Sequence, residues 1–296
     1  MEVFEYGKPA AMAIPHSILD QLAGLCLEES GNKMYFSLGD IRFSAECGVH
    51  GEILIRANLP LGFETLDLKV ERSFRGRSQR RMAVISGRGI IGAAELYRES
   101  YYKLVPTEHS TPTLEINGIH MHRVSGVDPI VDARLKVTRV VRRGDSVLDV
   151  CTGLGYTAIQ SLRLGAARVY TVEADENVLL LASINPWSFR LRDPRVVQVL
   201  GDATRVVEFF ENSKFDVIIH DPPRLMSETS SLYSIELYRE FYRVLRRGGR
   251  VFHYTGEPGR LRGRNLPGRV SRLLREAGFS EVRFSKRALG LYAVKI

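Results

Sequence analysis

The chain has 296 residues, 44% of them hydrophobic and 26% charged, with a formal net charge of +8. That composition fits one or two folded domains and argues against a disordered chain, and no apolar run reaches the roughly 18 residues of a transmembrane span. The start, Met1-Glu2-Val3-Phe4-Glu5, lacks the basic and apolar segments of a secretory signal, and Cys26, Cys47 and Cys151 have no metal spacing. A cytoplasmic protein with no disulfide framework and no metal is therefore expected. In chain order, residues 15–28 predict an amphipathic helix with Ile18, Leu19, Leu22 and Leu25 on one face. Short alternating runs follow at 34–37, 41–45 and 52–56, reading as strands broken by Gly and Asp. A basic cluster, Arg72, Arg75, Arg77, Arg80 and Arg81, surrounds Phe74 and Gly76. It reads either as an RNA-contacting arm or as the turn between strands at 69–72 and 82–85. A polar, Pro-flanked stretch at 105–113 marks a boundary. An α+β N-terminal domain is thus expected over 1–112, and a second domain over 113–296.

The second domain alternates strands with helices. Val147 to Val150 is an apolar strand containing Asp149, followed by the turn Cys151-Thr152-Gly153-Leu154-Gly155 and a helix. Glycines in such a turn let backbone approach a ligand at the helix N-terminus. A second strand, 168–173, ends in Glu173, and a third, 196–200, ends in Gly201-Asp202-Ala203. The most informative stretch is Phe215 to Arg224. Its β-branched run reads as a buried parallel strand and stops at Asp221-Pro222-Pro223-Arg224. Asp221 therefore falls at the carboxyl edge of a sheet, where open α/β folds bind ligands. A helix over 232–245, a strand over 250–254, a helix over 266–277 and a final antiparallel pair at 281–286 and 290–295 complete the pattern.

Asp-Pro-Pro after a strand, the Gly loop, the acids at strand ends and the terminal hairpin together resemble the class I S-adenosylmethionine-dependent methyltransferases. The resemblance covers roughly 126–296. It is strongest to an archaeal group with Asp-Pro-Pro-Arg, a relative of which dimethylates a cytosine 4-amino group in small-subunit ribosomal RNA. It implies a Rossmann-like α/β fold with a seven-stranded sheet ending in an antiparallel hairpin. It also implies S-adenosylmethionine as cofactor, held by Asp149, Cys151, Thr152, Gly153, Gly155, Glu173 (ribose), Asp202 (adenine) and Ala203. Asp221, with Pro222 and Pro223 fixing the backbone, would orient an exocyclic amine for attack on the methyl. Cys151 departs from the family's Gly, and Arg224 stands where a base-stacking aromatic is usual, so Arg224, His253, Tyr254 or Tyr233 would meet the base.

The charge is concentrated. Residues 224–287 carry 15 Arg and Lys against 6 Asp and Glu, whereas 1–125 carry 14 against 15. Arg260, Arg262, Arg264 and Arg269 form a Gly-rich basic loop after the 250–254 strand. Arg suits phosphate and bases. The expected function is accordingly amino-group methylation of a base in RNA, with ribosomal RNA or the small ribosomal subunit as partner and no membrane association. Two alternatives stand beside it. One is aminopropyl transfer to a polyamine, which the basic edge argues against. The other is a non-catalytic RNA-binding or assembly protein.

Overall fold

The computed structural model describes residues 2–28, 33–48, 52–71, 81–109, 111–256 and 265–296. Two compact units emerge, one of residues 1–4, 130–176 and 194–296, the other of 5–129 and 177–193.

The first unit is an α/β sheet of eight strands in the order Glu2–Phe4, Val196–Leu200, Arg168–Glu173, Ser146–Val150, Phe215–His220, Leu245–Tyr254, Gly290–Val294, Ser280–Ser285. The five from Val196–Leu200 to Leu245–Tyr254 are parallel, and the last two run as an antiparallel hairpin. This is the class I Rossmann-like fold expected, with one correction: the sheet has eight strands, not seven. Glu2–Phe4 pairs antiparallel with Val196–Leu200, Val3 opposite Val199. It covers an edge whose N–H and C=O groups would otherwise lack partners. Three residues are too short to show a period, which is why the sequence did not announce this strand.

All six residues of Phe215–His220 are buried, as expected for a central parallel strand covered on both faces. Helix Ile235–Val244 packs over it through Leu237, Tyr238, Phe241 and Val244, starting at the Ser234 cap, whose hydroxyl accepts from Leu237 N–H. The helix passes directly into Leu245–Tyr254, so this strand begins five residues before the expected start at 250. Helix Leu266–Glu276 closes the same core with Leu266, Val270 and Leu274 and ends at Gly278 (φ 105°). Away from the carboxyl edge, Arg250 donates to both oxygens of buried Asp145 at 2.9 Å, tying the Leu245–Tyr254 strand to the entry of Ser146–Val150.

The second unit holds helix His16–Glu28 and three antiparallel sheets. Strands Lys33–Leu38, Ile41–Cys47, Glu52–Asn58 and Leu66–Glu71 form a meander with Ile41, Phe43, Ala45, Ile53, Ile55, Ala57, Leu68 and Val70 on its buried face. Leu66–Glu71 and Met82–Ser86 are not paired with each other. The former joins Glu52–Asn58, the latter Ala11–Pro15 and Gly89–Ala93. The basic cluster at 72–80 lies outside the described residues, while Arg81 pairs with Glu95. Residues 177–193 belong to this unit although they connect two strands of the other. At Gly39 (φ 61°) a Cβ would lie 2.7 Å from Trp187 Cα, and Arg190 pairs with Asp40. Cys47 is disulfide-bonded, against expectation, and Cys151 is free. Cysteine count is thus no guide to compartment here. No described helix is long and apolar enough to cross a membrane.

Candidate active site

The parallel strands bring Asp149, Glu173, Asp202 and Asp221 to one edge, because each sits at or just past a strand's carboxyl end. What each acid does there differs.

Asp149 is wholly buried, opposite Thr171 on one neighbouring strand and Ile219 on the other. Its Oδ2 accepts from Thr171 Oγ1 at 2.7 Å, and the Thr171 hydroxyl meets Thr152 Oγ1 at 2.6 Å. Burial pushes its carboxyl up to about 7, with the threonine hydrogen bonds opposing. The loop after it turns sharply. Cys151 (φ 69°), Gly153 (φ 54°) and Gly155 (φ 75°) all adopt left-handed backbone. Cys151 thus holds the conformation that the family's Gly takes without strain. Its N–H and that of Thr152 both donate to Val172 O at 3.0 Å, clamping the turn to the adjacent strand. Gly155 then caps helix Tyr156–Arg163, whose N-terminus faces the same edge.

Glu173, expected at a ribose, turns its carboxylate onto backbone. Oε2 accepts from Gly153 N–H at 2.9 Å, and Oε1 from Ala174 and Asp175 N–H at 3.0 and 3.2 Å. It therefore locks the glycine loop in place. Asp202, expected at adenine, is exposed and caps the short helix Ala203–Val206, with Oδ1 accepting from Thr204 N–H at 2.8 Å and its hydroxyl at 2.7 Å. Ala203 is buried at that helix start.

Asp221 meets a partner that sequence reasoning missed. Lys136, on helix Pro129–Val137, donates to Asp221 Oδ2 at 2.6 Å and lies 3.0 Å from Asp132 Oδ2, one turn earlier on its own helix. Its ammonium also sits 4.4 Å from the centroid of the Tyr254 ring. Burial alone would lower the Lys136 pKa, but Asp221 and Asp132 outweigh it and hold the group charged. Burial raises the Asp221 carboxyl, with Lys136 opposing. The only sequence clue was Asp132 four residues before Lys136, a spacing that usually marks an exposed helix pair.

Pro222 is buried and Pro223 exposed, and the Pro223 carbonyl accepts from Tyr233 Oη at 2.7 Å, which pins the turn. Tyr233 is buried, and Arg224 is exposed, with its carbonyl accepting from Thr229 Oγ1 at 2.7 Å. His253, expected at the substrate, is instead wholly buried. Its Nδ1 donates to the Tyr254 carbonyl at 2.8 Å, leaving Nε2 to accept from Tyr238 Oη at 2.7 Å. Burial lowers its pKa to about 4, so it is neutral. Arg269 is exposed, whereas Arg260, Arg262 and Arg264 lie outside the described residues.

An uncharacterized protein of Methanocaldococcus jannaschii is 49% identical over 209 residues, 70% of this chain and 71% of that protein. The chain belongs to that protein's family. The spermine/spermidine synthase domain model matches residues 123–262, the stretch from Lys136 through the Gly loop to Asp221 and Tyr254. Among solved structures, spermidine synthase from Thermotoga maritima superimposes with a TM-score of 0.57 at 17% identity, over 78% of this chain and 75% of that one. This is a likeness of fold. A putative ribosomal RNA large subunit methyltransferase of M. jannaschii is 32% identical over 103 residues, 34% of this chain but 26% of that protein.

These likenesses are to an α/β Rossmann-like fold of the kind found in methyltransferases and spermidine synthase. They correct the expectation of base methylation in RNA, since the family model matching residues 123–262 is that of spermine/spermidine synthase. The net charge of residues 224–287 does not by itself exclude a polyamine. Local charge decides recognition, and the residues at the strand ends are acids.

Proposed function

We propose that the protein transfers an aminopropyl group from decarboxylated S-adenosylmethionine to an amine. The observation that carries this reading is the set of acids at one sheet edge, with an alkylammonium already held by Asp221 and the Tyr254 ring. A decarboxylated donor ends in an ammonium rather than an amino acid, so both donor and acceptor are cations suited to such an edge. The family model over 123–262 supports the same reading. The Gly153–Gly155 loop, braced by Glu173, would hold the donor. In the transfer step the amine lone pair attacks the aminopropyl carbon attached to sulfur. The C–N bond forms as the C–S bond breaks, and its electron pair stays on sulfur as a neutral thioether. The surplus proton on nitrogen passes to Asp221, whose proton affinity burial raises.

The test is product analysis with each donor. Methylthioadenosine formed from decarboxylated S-adenosylmethionine and a panel of amines supports the reading. S-adenosylhomocysteine formed from S-adenosylmethionine, with no methylthioadenosine from the other donor, replaces it with a second reading, methyl transfer to an amine. That second reading is favoured by the Asp221-Pro222-Pro223 turn, pinned by Tyr233, and by the partial likeness to a methyltransferase. RNA as a partner is a separate proposal resting on the excess of basic residues in 224–287. A titration at several salt concentrations tests it, because each phosphate contact steepens the salt dependence.

A further inference from the structure

The alkylammonium nearest the proposed transfer centre belongs to the protein itself. The Lys136 side chain is 6% exposed and its ammonium is enclosed on three sides, by Asp221 Oδ2 at 2.6 Å, Asp132 Oδ2 at 3.0 Å and the Tyr254 ring at 4.4 Å. Two carboxylates and an aromatic face are the groups that recognise a free primary ammonium. They come from three separate segments, the helix Pro129–Val137, the turn after Phe215–His220 and the end of Leu245–Tyr254, and converge on one point. The Tyr254 backbone carbonyl accepts from buried His253, whose other ring nitrogen accepts from Tyr238 Oη. The arrangement is a built ammonium seat, filled from within.

A diamine acceptor has two tasks for its nitrogens. One must arrive neutral at the reacting carbon, and the other remains an ammonium that needs an anchor. Beside Asp221 that anchor is taken. The tethered lysine competes at an effective concentration of the order of millimolar or more, so a free diamine gains little by displacing it. We propose that Lys136 is a specificity-determining residue: it occupies the seat of Asp221, Asp132 and Tyr254, so that an acceptor meets Asp221 through its reacting nitrogen alone and a diamine cannot anchor its second ammonium there. The consequence for substrate class is an acceptor with a single amine at the site, recognised elsewhere by something other than a second ammonium. This rests on the amine-acceptor reading above, whereas the seat itself can be tested by binding alone.

The experiment removes the tenant and offers a free one. Lys136→Ala leaves two carboxylates facing each other without their cation and should melt below the wild type. Propylammonium chloride, at tens of millimolar, should restore several degrees of that loss, while potassium chloride and propanol do not, and the wild type should respond no more to propylammonium than to potassium. Adding Asp221→Asn to Lys136→Ala should remove most of the recovery. By calorimetry, 1,3-diaminopropane should bind Lys136→Ala at least tenfold more tightly than the wild type. If Lys136→Ala does not fold, Lys136→Ala with Asp132→Asn relieves the repulsion, and the same comparison is made on it. Equal shifts with propylammonium and propanol, or equal diamine affinity in variant and wild type, would overturn the proposal. Failure of every acceptor in the transfer assay would remove the function above and leave a positive binding result standing.

Discussion

The glycine loop and the Asp-Pro-Pro turn stand at the ends of adjacent parallel strands, yet they are built in opposite ways. The loop is braced by near neighbours in the sheet. Glu173 and Thr171 lie on the next strand and hold Gly153 and Asp149. The turn is braced from far away in sequence, with Lys136 reaching Asp221 across 85 residues and Tyr233 reaching back to Pro223. The loop is thus a cradle braced from the neighbouring strand, with Glu173 serving backbone N–H groups and Asp149 the Thr171 hydroxyl. The turn is an electrostatic site whose acid is already engaged by a cation. Substitutions in the two should therefore fail differently.

The largest effect is expected at the turn. Asp221→Ala should lower turnover by about a hundredfold or more, the usual scale of a lost proton acceptor. Donor affinity, read by calorimetry, should stay within a few-fold, since the loop is untouched. A large loss of donor affinity would erase the distinction between the two regions. At the loop, Glu173→Ala removes the acceptor for three backbone N–H groups, including that of Gly153. Hydrogen bonds to a charged group contribute about 1.5–3 kcal/mol. Donor binding should weaken by roughly ten- to a hundredfold, with smaller change in turnover at saturating donor, and unchanged affinity would mean that the loop holds its shape without Glu173.

A smaller effect is expected from Tyr233→Phe, which deletes the hydroxyl that pins the Pro223 carbonyl. A neutral hydrogen bond is worth about 0.5–1.5 kcal/mol. Turnover should fall by a few-fold with donor affinity intact, and a drop as large as that of Asp221→Ala would make the tyrosine a participant rather than a brace. The smallest effect is a pH signature. Burial raises the Asp149 carboxyl to about 7. A carboxyl whose pKa is higher folded than unfolded takes stability away as pH rises from about 4 to about 7. The buried His253, lowered to about 4, has the opposite sign between about 4 and 6.5. The readout is therefore the melting difference between Asp149→Asn and wild type, which should shift in favour of the variant as pH rises through that window. Parallel curves would show that Asp149 does not carry the proton.

Much of the unit that carries the eight-stranded sheet was legible because its signals are local. The run 215–220, stopped by two prolines, reads as a buried strand wherever it is packed, and the glycines at 153 and 155 demand a turn with positive φ. The spacing of strands, helices and the final hairpin determined the class of fold and placed Asp149, Glu173, Asp202 and Asp221 at one edge. What those acids touch was decided by tertiary structure. Glu173 and Asp202 spend carboxylate oxygens on nearby backbone groups, and His253 disappears under Tyr238. Glu2–Phe4 becomes an eighth strand, and residues 177–193 join the other unit. Lys136, which carries no signal of its own in the sequence, is the buried cation between Asp132 and Asp221. Periodicity, capping and turn chemistry act over a few residues and can be read from a string. Which charge meets which across 85 residues depends on how the sheet and its helices pack, because a buried charge takes whatever partner the fold brings within reach.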